Sequence, residues 1–144
     1  MVLALPVLLA AAATFPGPRP SGEILLPNGR LLTPSGRQVA VAPYPFSLVP
    51  TPDGRRLVVA SVGPDDRYLQ LLDARSGRLL SSVPLPKAWI GLALSRDGRT
   101  AWVSGANRNA VLAFGLEGAT PVPAGELPTT APGAKGVRAL PAGL

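Results

Sequence analysis

Two stretches, Phe46-Ser-Leu-Val-Pro-Thr-Pro-Asp53-Gly-Arg-Arg-Leu-Val-Val-Ala-Ser61 and Ile90-Gly-Leu-Ala-Leu-Ser-Arg-Asp97-Gly-Arg-Thr-Ala-Trp-Val-Ser-Gly105, repeat one pattern at an offset of 44 residues. Leu48 and Leu92, Asp53 and Asp97, Gly54 and Gly98, Arg55 and Arg99, and Val59 and Val103 coincide in a single ungapped register. Each stretch reads as an apolar strand, an Asp-Gly turn and a second apolar strand. A strand-rich repeat of roughly 40 to 50 residues is the signature of a β-propeller blade. The turn chemistry is local: Pro52 fixes φ ahead of the turn, Gly54 accepts a left-handed conformation, and the Asp53 carboxylate is expected to fold back onto turn amides. Asp97 is expected to do the same, so both acids are read as structural and not catalytic.

Outward from these turns, a first complete blade is predicted from an inner strand at 47–49, a second at 56–61, a third at 68–72 and an outer one at 79–83. The second blade repeats the order at 92–94, 100–104 and 110–114, with a weakly signalled last strand near 121–127. Pro121 and Pro123 remove backbone donors there, which suits an edge or a bulged strand. Upstream, Ile24-Leu-Leu26, the Asn28-Gly29 turn and Arg30-Leu-Leu-Thr33 predict a hairpin. Gln38-Val-Ala-Val41 is read as a further strand, stopped by Ala42-Pro-Tyr-Pro45. Leu57-Val-Val-Ala60 and Leu69-Gln-Leu-Leu72 lack polar/apolar alternation, as expected of strands covered on both faces. Trp89 and Trp102 are read as large groups packing between blades.

The predicted fold class is therefore all-β, a partial β-propeller of about two and a half four-stranded antiparallel blades. The blade region spans 21–127, with repeats near 46–86 and 90–127, and 128–144 reads as loop or disordered tail. A closed ring takes about four to eight blades, so a chain of 144 residues is read as the first part of a longer protein. The remaining blades, and a C-terminal domain, are then the expected partners. Residues 1–20 differ in kind. Met1-Val-Leu-Ala-Leu-Pro-Val-Leu-Leu-Ala-Ala-Ala-Ala13 followed by Thr14-Phe-Pro-Gly-Pro-Arg-Pro20 reads as a signal peptide and a Pro-rich exit, although no Lys or Arg precedes the apolar run. The run is shorter than the about 20 residues of a membrane span. The expected location is secreted or periplasmic.

Composition narrows the chemistry. Histidine and cysteine are both absent, which removes Ser-His-Asp triads, thiol catalysis and the usual zinc ligand sets. The glycines have neither Walker nor Rossmann spacing. A net charge of +6 comes from 14 Lys or Arg against 8 Asp or Glu, but the arginines are spread out, with Arg30, Arg37, Arg55, Arg78 and Arg99 beside glycines and no run longer than Arg55-Arg56. A nucleic-acid groove would cluster them among exposed aromatics. Asp65-Asp66 is the one paired acidic site, and Ca²⁺ asks for about six to eight oxygen ligands. No catalytic, cofactor or metal residue is assigned.

The segments Thr51-Pro-Asp-Gly-Arg55 and Ser95-Arg-Asp-Gly-Arg99, each followed by an apolar strand, resemble the turn-and-strand repeat of the YVTN family of β-propellers. That resemblance, over about residues 24–116, implies a WD40-like or lactonase-like propeller of a bacterial secreted protein. Leu26–Gln38 and Pro86–Ser95 also resemble the propeller that precedes a phosphoesterase domain in secreted proteins. The chain departs from the repeat at Thr51, Arg96 and Ser104-Gly105. The expected function is non-catalytic binding or scaffolding of a protein or cell-surface ligand. The alternative is the N-terminal part of a phosphoesterase or lactonase-like hydrolase whose catalytic residues lie beyond this chain. Contact residues, chosen by loop position and side-chain type, are Tyr44, Phe46, Asp65, Asp66, Arg67, Lys87, Trp89, Asn107, Arg108 and Asn109.

Overall fold

The computed structural model describes residues 15–130 and Pro141. The apolar run 1–13 and most of the segment after Thr130 lie outside the described residues, and with them the signal-peptide and tail readings. The chain is all-β, with three antiparallel sheets of three, four and four strands. It divides into two compact units between Gln38 and Val39.

The first unit holds β1 (Gly17–Pro18), β2 (Ile24–Leu25) and β3 (Leu31–Leu32), paired in that order. The expected Asn28-Gly29 turn joins β2 to β3. Gly29 has φ of 78°, its amide bonds the Leu26 carbonyl at 2.9 Å, and the Asn28 Oδ1 accepts from the Arg30 amide at 3.1 Å. β1 lies within the segment read as the exit of a leader, where the prolines obscured a strand only two residues long.

The second unit holds both four-stranded sheets. One is β4 (Pro45–Pro50), β5 (Arg56–Val62), β6 (Arg67–Asp73) and β7 (Leu79–Pro84), in sequence order. The other is β8 (Leu92–Leu94), β9 (Thr100–Ser104), β10 (Ala110–Gly115) and β11 (Val122–Pro128), again in sequence order. β8 and β9 match the expected bounds, β11 lies one residue later than expected, and the others extend theirs by one or two residues. The predicted strand at Gln38-Val-Ala-Val41 does not form, and residues 38–40 are exposed. The main chain that follows is held by side chains instead. Ala42 donates its amide to Gln70 Oε1 at 2.9 Å, and its carbonyl accepts from the Ser61 hydroxyl at 3.1 Å. Pro43 lacks the N–H with which a ladder would continue.

Alternation along the strands builds the core. Val58, Ala60, Leu69 and Leu71 from the first sheet join Leu92, Ala101, Val103, Leu112 and Phe114 from the second in one buried cluster. Leu85 and Leu116, both 0% exposed, belong to it. The expectation that β5 and β6 are covered on both faces holds: Val59, Ser61, Gln70 and Leu72 on the opposite face are also buried. Neither tryptophan belongs to the core between these two sheets. Trp89 sits in a connection, 45% exposed. Trp102 pairs with Ala93 and Ala113 on the face of its sheet opposite the core, half-buried. β11 is exposed along its whole length and joins β10 through a bulge between Ala113 and Phe114, in keeping with its prolines.

The repeated turns close both β4–β5 and β8–β9 with one set of hydrogen bonds. The Gly54 amide bonds the Thr51 carbonyl at 2.8 Å, as Gly98 does that of Ser95 at 2.8 Å. The Thr51 amide bonds the Arg56 carbonyl at 2.9 Å, as Ser95 does that of Thr100 at 2.8 Å. Gly54 and Gly98 have φ of 68° and 70°. Their surroundings differ. A Cβ on Gly54 would meet nothing within 4 Å, whereas one on Gly98 would fall 2.6 Å from Pro52 Cδ of the other turn. Gly54→Ala is therefore expected to cost about 1–2 kcal/mol, the left-handed term alone. Gly98→Ala should cost more, because Pro52 must also move. Chemical denaturation of the two variants checks this, and equal losses would show that the turns do not pack as described.

Candidate functional site

The strand directions sort every connection of the second unit to one of two ends. At the first end lie the β4–β5, β6–β7, β8–β9 and β10–β11 turns. At the second lie the segment leading into β4 and the β5–β6, β7–β8 and β9–β10 connections. All ten residues singled out from the sequence are at the second end.

The first end is internally satisfied. Asp53 Oδ1 accepts from the Thr51 hydroxyl at 2.6 Å and the Arg55 amide at 3.0 Å. Asp97 Oδ1 accepts from the Ser95 hydroxyl at 2.6 Å and the Arg99 amide at 3.0 Å. Those bonds, the hydroxyl first, hold both carboxyls below the ordinary aspartate value of 3.8. Asp73 is lowered in the same way by the Ser76 hydroxyl and amide. The Arg56 guanidinium bridges the repeats, donating to the carbonyls of Leu116 at 2.8 Å and Gly118 at 3.1 Å. A cleft of about 390 Å³ lies between the two turns, but Asp53 and Asp97 are committed to the turns, Arg56 to carbonyls, and Arg99 pairs with Glu117 at 3.7 Å.

The second end is built differently. The four non-glycine residues of positive φ among the described residues are Tyr44, Lys87, Ala106 and Asn109, at 56°, 60°, 44° and 53°, and all are here. Asn tolerates that conformation, whereas Tyr, Lys and Ala are strained in it. The packing of neighbouring segments holds them in place. Trp89 donates its amide to the Ser104 carbonyl at 2.8 Å, Val62 donates to that of Tyr44 at 2.9 Å, and Asn109 to that of Ala106 at 3.1 Å. The Gly105 amide bonds the Ala110 carbonyl at 2.8 Å. A Cβ on Gly105 would lie 2.5 Å from that oxygen, so the approach demands glycine.

This scaffold brings Arg67, Lys87, Trp89 and Asn107 together around one cleft of about 570 Å³, lined also by Ala88, Ala106 and Pro141. Arg67 Nε is buried without a hydrogen-bond partner among the described residues. Asp65 and Asp66 line a separate, smaller cleft of about 230 Å³ that they share with Arg67, Tyr68 and Pro84. Tyr44 and Phe46 stack on each other, with ring centroids 6.5 Å apart and planes 11° from parallel, away from both clefts. Arg108 is drawn off by an ion pair with Glu126 of β11. Asn109 serves as the left-handed cap of the 3-10 turn Ala106–Arg108. Sequence reasoning missed Ala88 and Ala106, whose small apolar side chains carry no chemical signal. Among the described residues no three or more acids gather as metal ligands.

No protein-family model matches the sequence, and no curated protein matches it. Among solved structures, the chain is similar to hydrazine synthase of Kuenenia stuttgartiensis, with a TM-score of 0.54 and 20% sequence identity. The likeness covers 76% of this chain and 28% of that one, so it spans little more than a quarter of the longer protein. At that identity it concerns the fold.

The depressed carboxyls of the turns set an acid limb of stability. A carboxyl whose pKa is lower in the folded state stabilises fully above its unfolded value and loses that contribution as pH falls through the folded value. The unfolding midpoint should therefore hold from neutrality to mildly acidic pH and drop below the ordinary value of 3.8. The double variant Asp53→Ala, Asp97→Ala should unfold earlier than the parent at pH 7, and the two should converge toward pH 2. Thermal melts across that range provide the check; a gap that stays constant would mean the carboxylates do not hold the turns.

Proposed function

We propose that this chain is a non-catalytic segment of a β-propeller that acts in binding or scaffolding, with the end holding Arg67, Lys87 and Trp89 as its contact face. The observation that carries the reading is the structural repeat. Two sheets have the same strand order, closed by turns with the same hydrogen bonds, and are packed face to face through one core. Their first strands, β4 and β8, also lie at neighbouring places. The Ser47 hydroxyl of β4 donates to the Ile90 carbonyl just ahead of β8, as expected of inner strands around an axis. The resemblance of the turn segments to YVTN-family repeats supports the same reading.

A segment of a ring must present faces that its neighbours would cover. The outward side of the second sheet carries Trp102, Val111, Val122 and Leu127, the last two 61% and 54% exposed. β11 offers an unpaired edge beside them. The rest of a longer chain is the occupant this reading assigns to that face, and export from the cytoplasm follows from the apolar run 1–13. Asp53, Asp73 and Asp97 are held by turn hydroxyls and amides, and the sequence has no histidine or cysteine to serve as base or thiol nucleophile.

Produced alone, the chain is expected to self-associate at micromolar concentration through its open edge and face. Val122→Lys with Leu127→Lys should reduce association, since charge on an edge strand opposes pairing. Sedimentation velocity over a concentration series measures this. A monodisperse parent that unfolds cooperatively would contradict the segment reading. Reproducible hydrolysis of an aryl phosphate or a simple lactone, lost on Asp65→Asn with Asp66→Asn, would contradict the non-catalytic one.

A further inference from the structure

We propose that the cleft between the β5–β6, β7–β8 and β9–β10 connections is a binding site for a small organic anion bearing a flat apolar group. The inference rests on the reading of this end as the contact face and adds the chemistry of what it contacts. Its volume of about 570 Å³ lies within the roughly 300–1,000 Å³ range of small-ligand sites.

The lining decides the ligand class. Arg67 and Lys87 bring two positive charges to the cleft, and among the described residues no carboxylate lines it. Neither cation has an ion-pair partner among the described residues. A carboxylate or phosphoryl oxygen is the acceptor that a guanidinium fork matches best. Asn107 adds an amide able to donate or accept. Trp89 adds a broad apolar face that is 45% exposed, suited to stacking on a planar group. The ligand is thus anionic at one end and flat at the other.

The backbone supplies a second, independent argument. Lys87 and Ala106, on two different connections of the cleft, both hold positive φ, 60° and 44°. Each is strained in a conformation that glycine would adopt freely. At Lys87 the strain is kept together with a long cationic side chain at the mouth of a cavity. Replacement by glycine would relieve the backbone and remove the charge. The same connections therefore carry both the conformational cost and the polar equipment of the site.

Equilibrium dialysis of the 144-residue chain against 2-naphthoate, 2-naphthamide and acetate tests the inference, since it counts bound ligand whatever the state of association. Naphthoate should be retained saturably and at least tenfold more tightly than naphthamide, which lacks the charge, and than acetate, which lacks the ring. Lys87→Asn should weaken naphthoate binding several-fold; Asn accepts the left-handed backbone, so the variant removes charge without new strain. Arg67→Met, which keeps the packed stem, should do the same, and Trp89→Ala should narrow the preference for naphthoate over acetate. No saturable retention, equal retention of naphthoate and naphthamide, or unchanged binding by Lys87→Asn would overturn the site. Those outcomes leave self-association through β11 untouched, so failure of the cleft and failure of the ring-segment reading are separable.

Discussion

Everything else in this molecule depends on the apolar contact between its two four-stranded sheets. Val58, Ala60, Leu69 and Leu71 meet Ala101, Val103, Leu112 and Phe114 in one cluster, and burial of such side chains is worth about 1.5–3 kcal/mol each. An isolated antiparallel sheet with one wet face would need polar residues on alternate positions. Here the middle strands are apolar on both sides, so the sheets are stable only as members of a stack. The turns and connections inherit their places from that stacking: Pro52 of one turn rests against Gly98 of the next, and Arg56 reaches carbonyls 60 and 62 residues further along the chain.

Stacking two copies of one unit also separates the molecule into ends with different physics. At one end the turns are closed upon themselves, since each aspartate is satisfied by a hydroxyl and an amide within two residues of it. Acids with such partners have little affinity left for anything else. At the other end the main chain is held in conformations that its residues disfavour, and two cations without an ion-pair partner among the described residues line a cleft. Chemistry belongs where the local hydrogen bonding is incomplete, because only there does a ligand gain something that water and the protein do not already provide.

The parts legible in the sequence were those with a local cause. The Asp-Gly turns repeat at a fixed offset, so the strands flanking them could be placed within a residue or two, and the bulged edge at β11 followed from Pro121 and Pro123. The strand expected at Gln38–Val41 failed because its periodicity is genuine but its partner is missing. The side chains of Ser61 and Gln70, distant in sequence, capture the chain at Ala42 instead. Trp89 and Trp102 were read as packing between blades by size alone, and size does not say which face of a strand or which connection a residue occupies. Of the ten residues picked by loop position, four meet at one cleft. The parity of strand directions puts all ten at one end, but it cannot tell that Arg108 turns toward Glu126 or that Asp65 and Asp66 open on a different cleft.

The two connections that flank the cleft show how a repeat acquires a distinct face without altering its frame. Gly63 and Gly105 each open a connection between a second and a third strand, and at both a Cβ would collide with a main-chain oxygen, at 2.8 Å from Asp66 and 2.5 Å from Ala110. Glycine is thus required by the frame at each place. Beyond it the constraint ends and the repeats part: Pro64-Asp-Asp-Arg67 in the first, Ala106-Asn-Arg-Asn109 in the second. Of the two loops it is the amide-bearing one that joins Arg67 and Lys87 at the larger cleft, while the acids of the first open on the smaller one.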